Sequence, residues 1–178
     1  MSKIGRRPIE LGSVQVEIKG NEVQYKGPHA TGTYVVADDL SIEVENNALY
    51  LKPVEKHKDI NRIWGLHRAL LANAILGAGK LFERQIKIVG LGYKAVLKGK
   101  DLNFSLGYSH KIDFDCPEGV TIDVDKTNQL LTLKSPYKEL LGLVCSKIKA
   151  LRPVEPYKGT GIHYVGEHIR RKAGKAKV

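Results

Sequence analysis

The chain is poor in the residues that build covalent or metal-based chemistry. Its 178 residues include two cysteines, one tryptophan and one methionine. Cys116 and Cys145 share no metal-ligand or redox spacing, so a disulfide framework and a thiolate site are both excluded and buried thiols in a reducing compartment are expected. No run approaches the roughly 20 apolar residues that span a bilayer. The opening MSKIGRRPIELG has basic residues with no apolar run behind them and is no signal peptide, so a soluble intracellular protein without a membrane partner is expected. The histidines (29, 57, 67, 110, 163 and 168) are scattered. Only His163 and His168 are neighbours, and they share no helical face and sit among cations, which opposes a metal ion. Asp113, Asp115, Asp123 and Asp125 alternate as solvated strand faces do. With no nucleophile beside a base and no paired carboxylates, neither enzymatic activity nor a cofactor or small-molecule substrate is expected.

What the chain does have is positive charge, unevenly placed. Residues 1–82 carry 11 Lys and Arg against 9 acids, residues 83–151 carry 11 against 8, and residues 152–178 carry 7 against 2, so half of the net +10 lies in the last 27 residues. That concentration points to a localised footprint for a polyanion. The stretch from Pro156 to Val178 interleaves Lys158, Arg170, Arg171, Lys172, Lys175 and Lys177 with Tyr157, His163 and Tyr164. Gly159, Gly161 and Gly166 prevent a long helix and allow close backbone approach. Such a segment is expected to take its shape on a polyanion. Arg and Lys would meet phosphates, and Tyr would offer flat faces to ribose or base.

The rest of the chain repeats one programme. Val14, Val16 and Ile18 alternate, turn at Lys19–Asn21 and continue into Val23–Tyr25, a hairpin pattern. Thr33–Val36 follows, and then SIEVEN and LYLK joined through Asn46 and Asn47. From Asn61 the period becomes helical, with Ile63, Trp64, Leu66, Leu70, Leu71, Ala74 and Ile75 on one face, Asp59 or Asn61 as cap, and Gly77 and Gly79 as stop signals. Residues 9–82 therefore read as an antiparallel sheet with one helix laid on it. LKGKDLNF at 97–104 then matches IKGNEVQY at 18–25 in chemical character at every position, and TIDVDKTNQLLTLK at 121–134 echoes SIEVENNALYLK at 41–52. A second helix ends this copy, with Leu140, Val144, Ile148 and Leu151 as its stripe, Ser135 as cap and Pro136 at its first position. The expected architecture is α+β, with two tandem copies of a small antiparallel sheet domain, each with one main helix, at 1–82 and 83–152, and a basic tail at 153–178.

Copy two carries two stretches without a counterpart, GLGYKA at 90–95 and LGYSHK at 106–111. The first satisfies G-x-G-x-x-A, but a strand pattern follows where a dinucleotide site needs a helix. It reads instead as a tight loop presenting Tyr93 and Lys94 to a partner, or as glycines that serve a β-bulge.

RPVEPYKGTGIHYVGEHIRRKAGK at 152–175 resembles the C-terminal signature of the ribosomal protein L6 family. The opening SKIGRRPIEL, the GLGYKA loop and SLGYSHKIDFDCPEGV at 105–120 follow that family in the same order, so the resemblance covers the chain. It implies a two-domain structural component of the large ribosomal subunit, cytoplasmic or organellar. The implied partners are large-subunit rRNA near the sarcin-ricin loop and stalk base, neighbouring subunit proteins and nearby translation factors. The RNA-contacting residues it implies here are Gly92, Tyr93, Lys94, Tyr108, Ser109, His110, Lys111, Tyr157, Lys158, Gly159, Thr160, Gly161, His163, Tyr164, Arg170, Arg171, Lys172, Lys175 and Lys177. Thr160 stands where the family usually has lysine and His163 where it usually has arginine, which removes two cations from the signature. A non-ribosomal nucleic-acid-binding or chaperone module is one rival reading, and an enzyme using the GLGYKA loop is another.

Overall fold

A computed structural model describes residues 2–54 and 59–174. The chain forms two compact units, Met1–Leu81 with Pro136–Lys138, and Phe82–Ser135 with Glu139–Val178.

Among the described residues, the first unit holds six strands and one helix. β2 (Gln15–Lys19) and β3 (Glu22–Lys26) form the expected hairpin, and β4 (Thr31–Val35) pairs with β3. β5 (Leu40–Glu45) and β6 (Ala48–Pro53) meet through Asn46 and Asn47, whose φ of 50° and 60° are the left-handed values of a tight hairpin turn that asparagine tolerates. β1 (Ile9–Glu10) lies against β6. These strands make two three-stranded sheets, β2-β3-β4 and β1-β6-β5, and not the single sheet expected.

Helix α1 spans Ile60–Gly79. Asp59 occupies the cap position without a side-chain cap bond, and Gly77 is buried inside the helix, which continues to Gly79. Leu66 points to solvent at 55% exposure, whereas Trp64, Leu71, Ala72 and Ile75 face the core. The Trp64 indole donates to the Leu51 carbonyl at 2.7 Å, which satisfies the only polar atom of a buried ring.

The second unit repeats the hairpin. β8 (Lys94–Lys98) and β9 (Asp101–Ser105) turn at Gly99, φ +68°, as β2 and β3 turn at Gly20, φ +63°. β10 (Ile112–Phe114) completes that sheet. The other sheet has four strands in the order β11 (Thr121–Val124), β12 (Leu130–Ser135), β7 (Phe82–Val89) and β13 (Gly161–Tyr164), and helix α2 spans Lys138–Leu151.

Helix α2 begins at Lys138, three residues beyond Ser135, the cap expected from sequence. Ser135 is the last residue of β12 and is buried, with its hydroxyl donating to the Gly119 carbonyl at 2.8 Å. Val144 and Ile148 of the expected stripe are buried together with Leu141 and Cys145, while Leu140 and Leu151 are only half-buried. Pro136 therefore precedes the helix. Of the two thiols expected to be buried, Cys145 is, and Cys116 is only partly covered. No described helix is long and apolar enough to cross a membrane.

The tail differs most from expectation. Gly161–Tyr164 pairs with Val89–Ile86 of β7, and Ile162 is fully buried. The second core uses this strand to cover the open edge of β7, so at least as far as Tyr164 the segment folds with the unit and needs no polyanion to shape it.

Candidate nucleic-acid interface

The two unmatched loops of the second unit interlock through one ring. Tyr93 lies across Gly90 and Gly107, where a Cβ would come within 2.5 Å and 2.8 Å of it. Only glycine permits that approach. Tyr93 is thus half-buried and packed against the core. GLGYKA is followed by β8, the strand that a dinucleotide loop forbids.

Next to this lock, the Arg152 guanidinium sits 4.8 Å over the Tyr108 ring, and the Tyr108 hydroxyl donates to the Leu151 carbonyl at 3.1 Å. His110 lies on the same tyrosine, 6.0 Å away at 24°. Arg152 is pushed above its ordinary pKa, first by its hydrogen bond to Tyr108 and then by the Tyr93 hydroxyl beside it. A cation–aromatic stack therefore ties the LGYSHK loop to the end of α2, where the tail begins. Gly92, Lys94, Ser109, His110 and Lys111 are exposed around it, and Tyr108 keeps 41% of its surface open. No acid occurs in residues 90–95 or 105–112.

The tail residues divide into scaffold and open contacts. Gly159 and Gly161 are buried. A Cβ on Gly161 would strike the Pro153 carbonyl at 2.7 Å, and the Arg171 side chain covers Gly159. The Thr160 hydroxyl donates to Glu155 Oε2 at 3.2 Å, and the two residues also pair through their backbones. His163 Nδ1 lies 2.9 Å from the Tyr164 carbonyl. Tyr164 itself is flanked by cations, with Lys149 4.9 Å and Arg84 5.6 Å from its ring centre. Glu167 fastens this corner, accepting from Lys149 Nζ at 2.5 Å and from the Tyr164 amide at 3.1 Å. Those bonds, that of Lys149 foremost, hold its carboxyl below the usual range. Of the tail residues named from sequence, Tyr157, Lys158, Arg170, Arg171 and Lys172 are exposed, and Lys175 and Lys177 lie outside the described residues.

Sequence reasoning overlooked Arg152, which looked like part of a helix stop at Arg152-Pro153, and Leu91, an apolar residue at a loop tip. Among the described residues no group of three or more His, Cys, Asp or Glu could hold a metal ion.

The family model described as Ribosomal protein L6 matches residues 89–165, a range that contains both loops and β13. The chain is 43% identical over 178 residues to large ribosomal subunit protein uL6 of Bdellovibrio bacteriovorus, covering 99% of this chain and 98% of that protein. It is 42% identical over 177 residues to uL6 of Staphylococcus carnosus, at 98% of each chain. Against large ribosomal subunit protein uL6c of Guillardia theta it is 40% identical over 177 residues, covering 99% and 98%.

Proposed function

The chain belongs to the ribosomal protein L6 family, and on that premise we propose that it is a structural, non-catalytic component of the large ribosomal subunit that binds large-subunit rRNA through its second unit. The observation that carries the RNA surface is the group of exposed cations Lys94 and Lys111 on acid-free loops around the Arg152–Tyr108–His110 stack. Lys158, Arg170 and Lys172 extend it along the tail, meeting phosphates as point and forked cations. Tyr93, Gly159, Gly161, Thr160, His163 and Tyr164 act behind this surface by holding it in shape. The resemblance favours a place near the sarcin-ricin loop and stalk base, among other subunit proteins and within reach of translation factors. The protein works where its ribosome does, in the cytoplasm or an organelle matrix.

Two measurements test this. The protein stays with the large subunit through a high-salt wash, and its release as a free protein would favour the non-ribosomal rival. Binding to transcribed large-subunit rRNA falls with salt at a log-log slope of about −4 to −5 if some six cations meet phosphates. A slope near zero rejects the phosphate contacts.

A further inference from the structure

Leu91 is 103% exposed, more open than any other large apolar side chain among the described residues. It sits at the tip of the Gly90–Tyr93 turn, where the Tyr93 amide donates to the Gly90 carbonyl at 3.2 Å. Gly92 takes φ +74°, a left-handed value, and nothing would crowd a Cβ there. The turn is held from three sides. Tyr93 is locked over Gly90 and Gly107, Ala95 is fully buried, and the Ala95 amide donates to the Asn128 carbonyl at 2.9 Å. None of these restraints involves the Leu91 side chain. The fold gains nothing from a leucine here, and the side chain stays wholly in water, where its apolar surface is free for a partner to cover.

What surrounds it selects the partner. Lys94 and Lys111 are exposed on the two loops, the Arg152–Tyr108–His110 stack stands beside them, and neither loop carries an acid. A protein pocket complementary to this rim would need acids. RNA supplies phosphates at the rim and, in a wide, shallow minor groove that displays 2′-hydroxyls and base edges, the C–H faces of its riboses for an apolar side chain to rest on. Apolar wedges flanked by cations are a known way of reading nucleic-acid shape.

We infer that Leu91 is a shape-reading contact, a rigidly presented apolar knob that packs on the ribose C–H faces of an rRNA minor groove while Lys94 and Lys111 meet the flanking phosphates. This rests on the rRNA-binding reading above. It adds a contact that discriminates among RNAs to cations that do not.

The test uses the full chain with transcribed large-subunit rRNA, and tRNA as the non-specific comparison. Leu91→Ala is expected to weaken rRNA binding by roughly tenfold, the loss of a buried leucine's transfer energy, with the salt slope and tRNA binding unchanged. Leu91→Lys is expected to weaken rRNA binding too, although it adds a cation. Both variants keep the wild-type thermal unfolding, because Leu91 touches no core. If wild type prefers rRNA to tRNA and both variants bind rRNA as well as wild type does, the inference is overturned while the rRNA reading stands. Tighter binding of Leu91→Lys to both RNAs also overturns it, since charge alone would then suffice. If wild type shows no preference for rRNA, the underlying reading fails and takes the inference with it. A photo-crosslinker at position 91 in assembled subunits should attach to rRNA, and attachment to a protein contradicts the proposal.

Discussion

The two units share a hairpin plan down to the left-handed glycine of the turn, Gly20 in one and Gly99 in the other. They differ in what is attached to it. The second unit has a fourth strand, β13, on its central sheet, where the corresponding β1-β6-β5 sheet of the first has three. It also has two interlocked glycine loops, a cation–aromatic stack and most of the net charge. A duplicated frame thus keeps its core while insertions and a terminal extension, the parts that the frame does not constrain, distinguish the second copy.

The sharpest way to break the comparison is to remove what only the second unit has. Deleting residues 156–178 would take away β13 and expose the edge of β7, so it should unfold the second unit. Within that strand, Ile162→Ala should cost about 3 kcal/mol, the usual range for a fully buried aliphatic. Hydrogen exchange should show lost protection at Ile86 and Ile88 with Leu49 and Leu51 unchanged. Equal loss in both units would mean that they do not fold independently.

Glycines sharpen the contrast at a smaller scale. Gly107→Ala meets both a left-handed φ of +76° and the Tyr93 ring, so it should cost about 2–3 kcal/mol. Gly20→Ala meets only the backbone term, about 1 kcal/mol, because nothing lies within 4 Å of its Cβ. Thermal denaturation of the two variants compares them directly, and equal costs would deny that the loops interlock.

The smallest effect is electrostatic. The Glu167 carboxyl is held below its ordinary pKa by Lys149 and the Tyr164 amide. Its contribution is therefore present above the unfolded-state value and fades as pH falls through the folded one. At a half-open site this amounts to under about 1 kcal/mol. Glu167→Gln should lower stability slightly at pH 7 and converge with wild type in acid, followed by the pH dependence of urea midpoints. An unchanged difference across that range would exclude the ion pair.

Much of this contrast was legible in the sequence. Alternation with Asn46-Asn47 or a turn glycine placed the hairpins correctly, because local backbone chemistry decides them. In α2 the sequence leaves Leu140 and Leu141 equally able to face the core, and only tertiary packing makes Leu141 the buried one. The strand within the tail is hidden for a related reason. Its charges are visible in sequence, but the vacancy beside β7 that recruits Gly161–Tyr164 is a property of the folded sheet. The same holds for Tyr164 and Tyr93, whose surroundings come from Arg84 and Lys149 in one case and from Gly107 in the other.

The most direct test of the claim that the second unit carries the RNA surface is lysine reactivity by mass spectrometry, with the full chain free and bound to transcribed large-subunit rRNA. Lys94, Lys111, Lys158 and Lys172 should become protected while Lys19, Lys26 and Lys80 stay reactive. Protection of the first unit's lysines with the second unit's left open would contradict it.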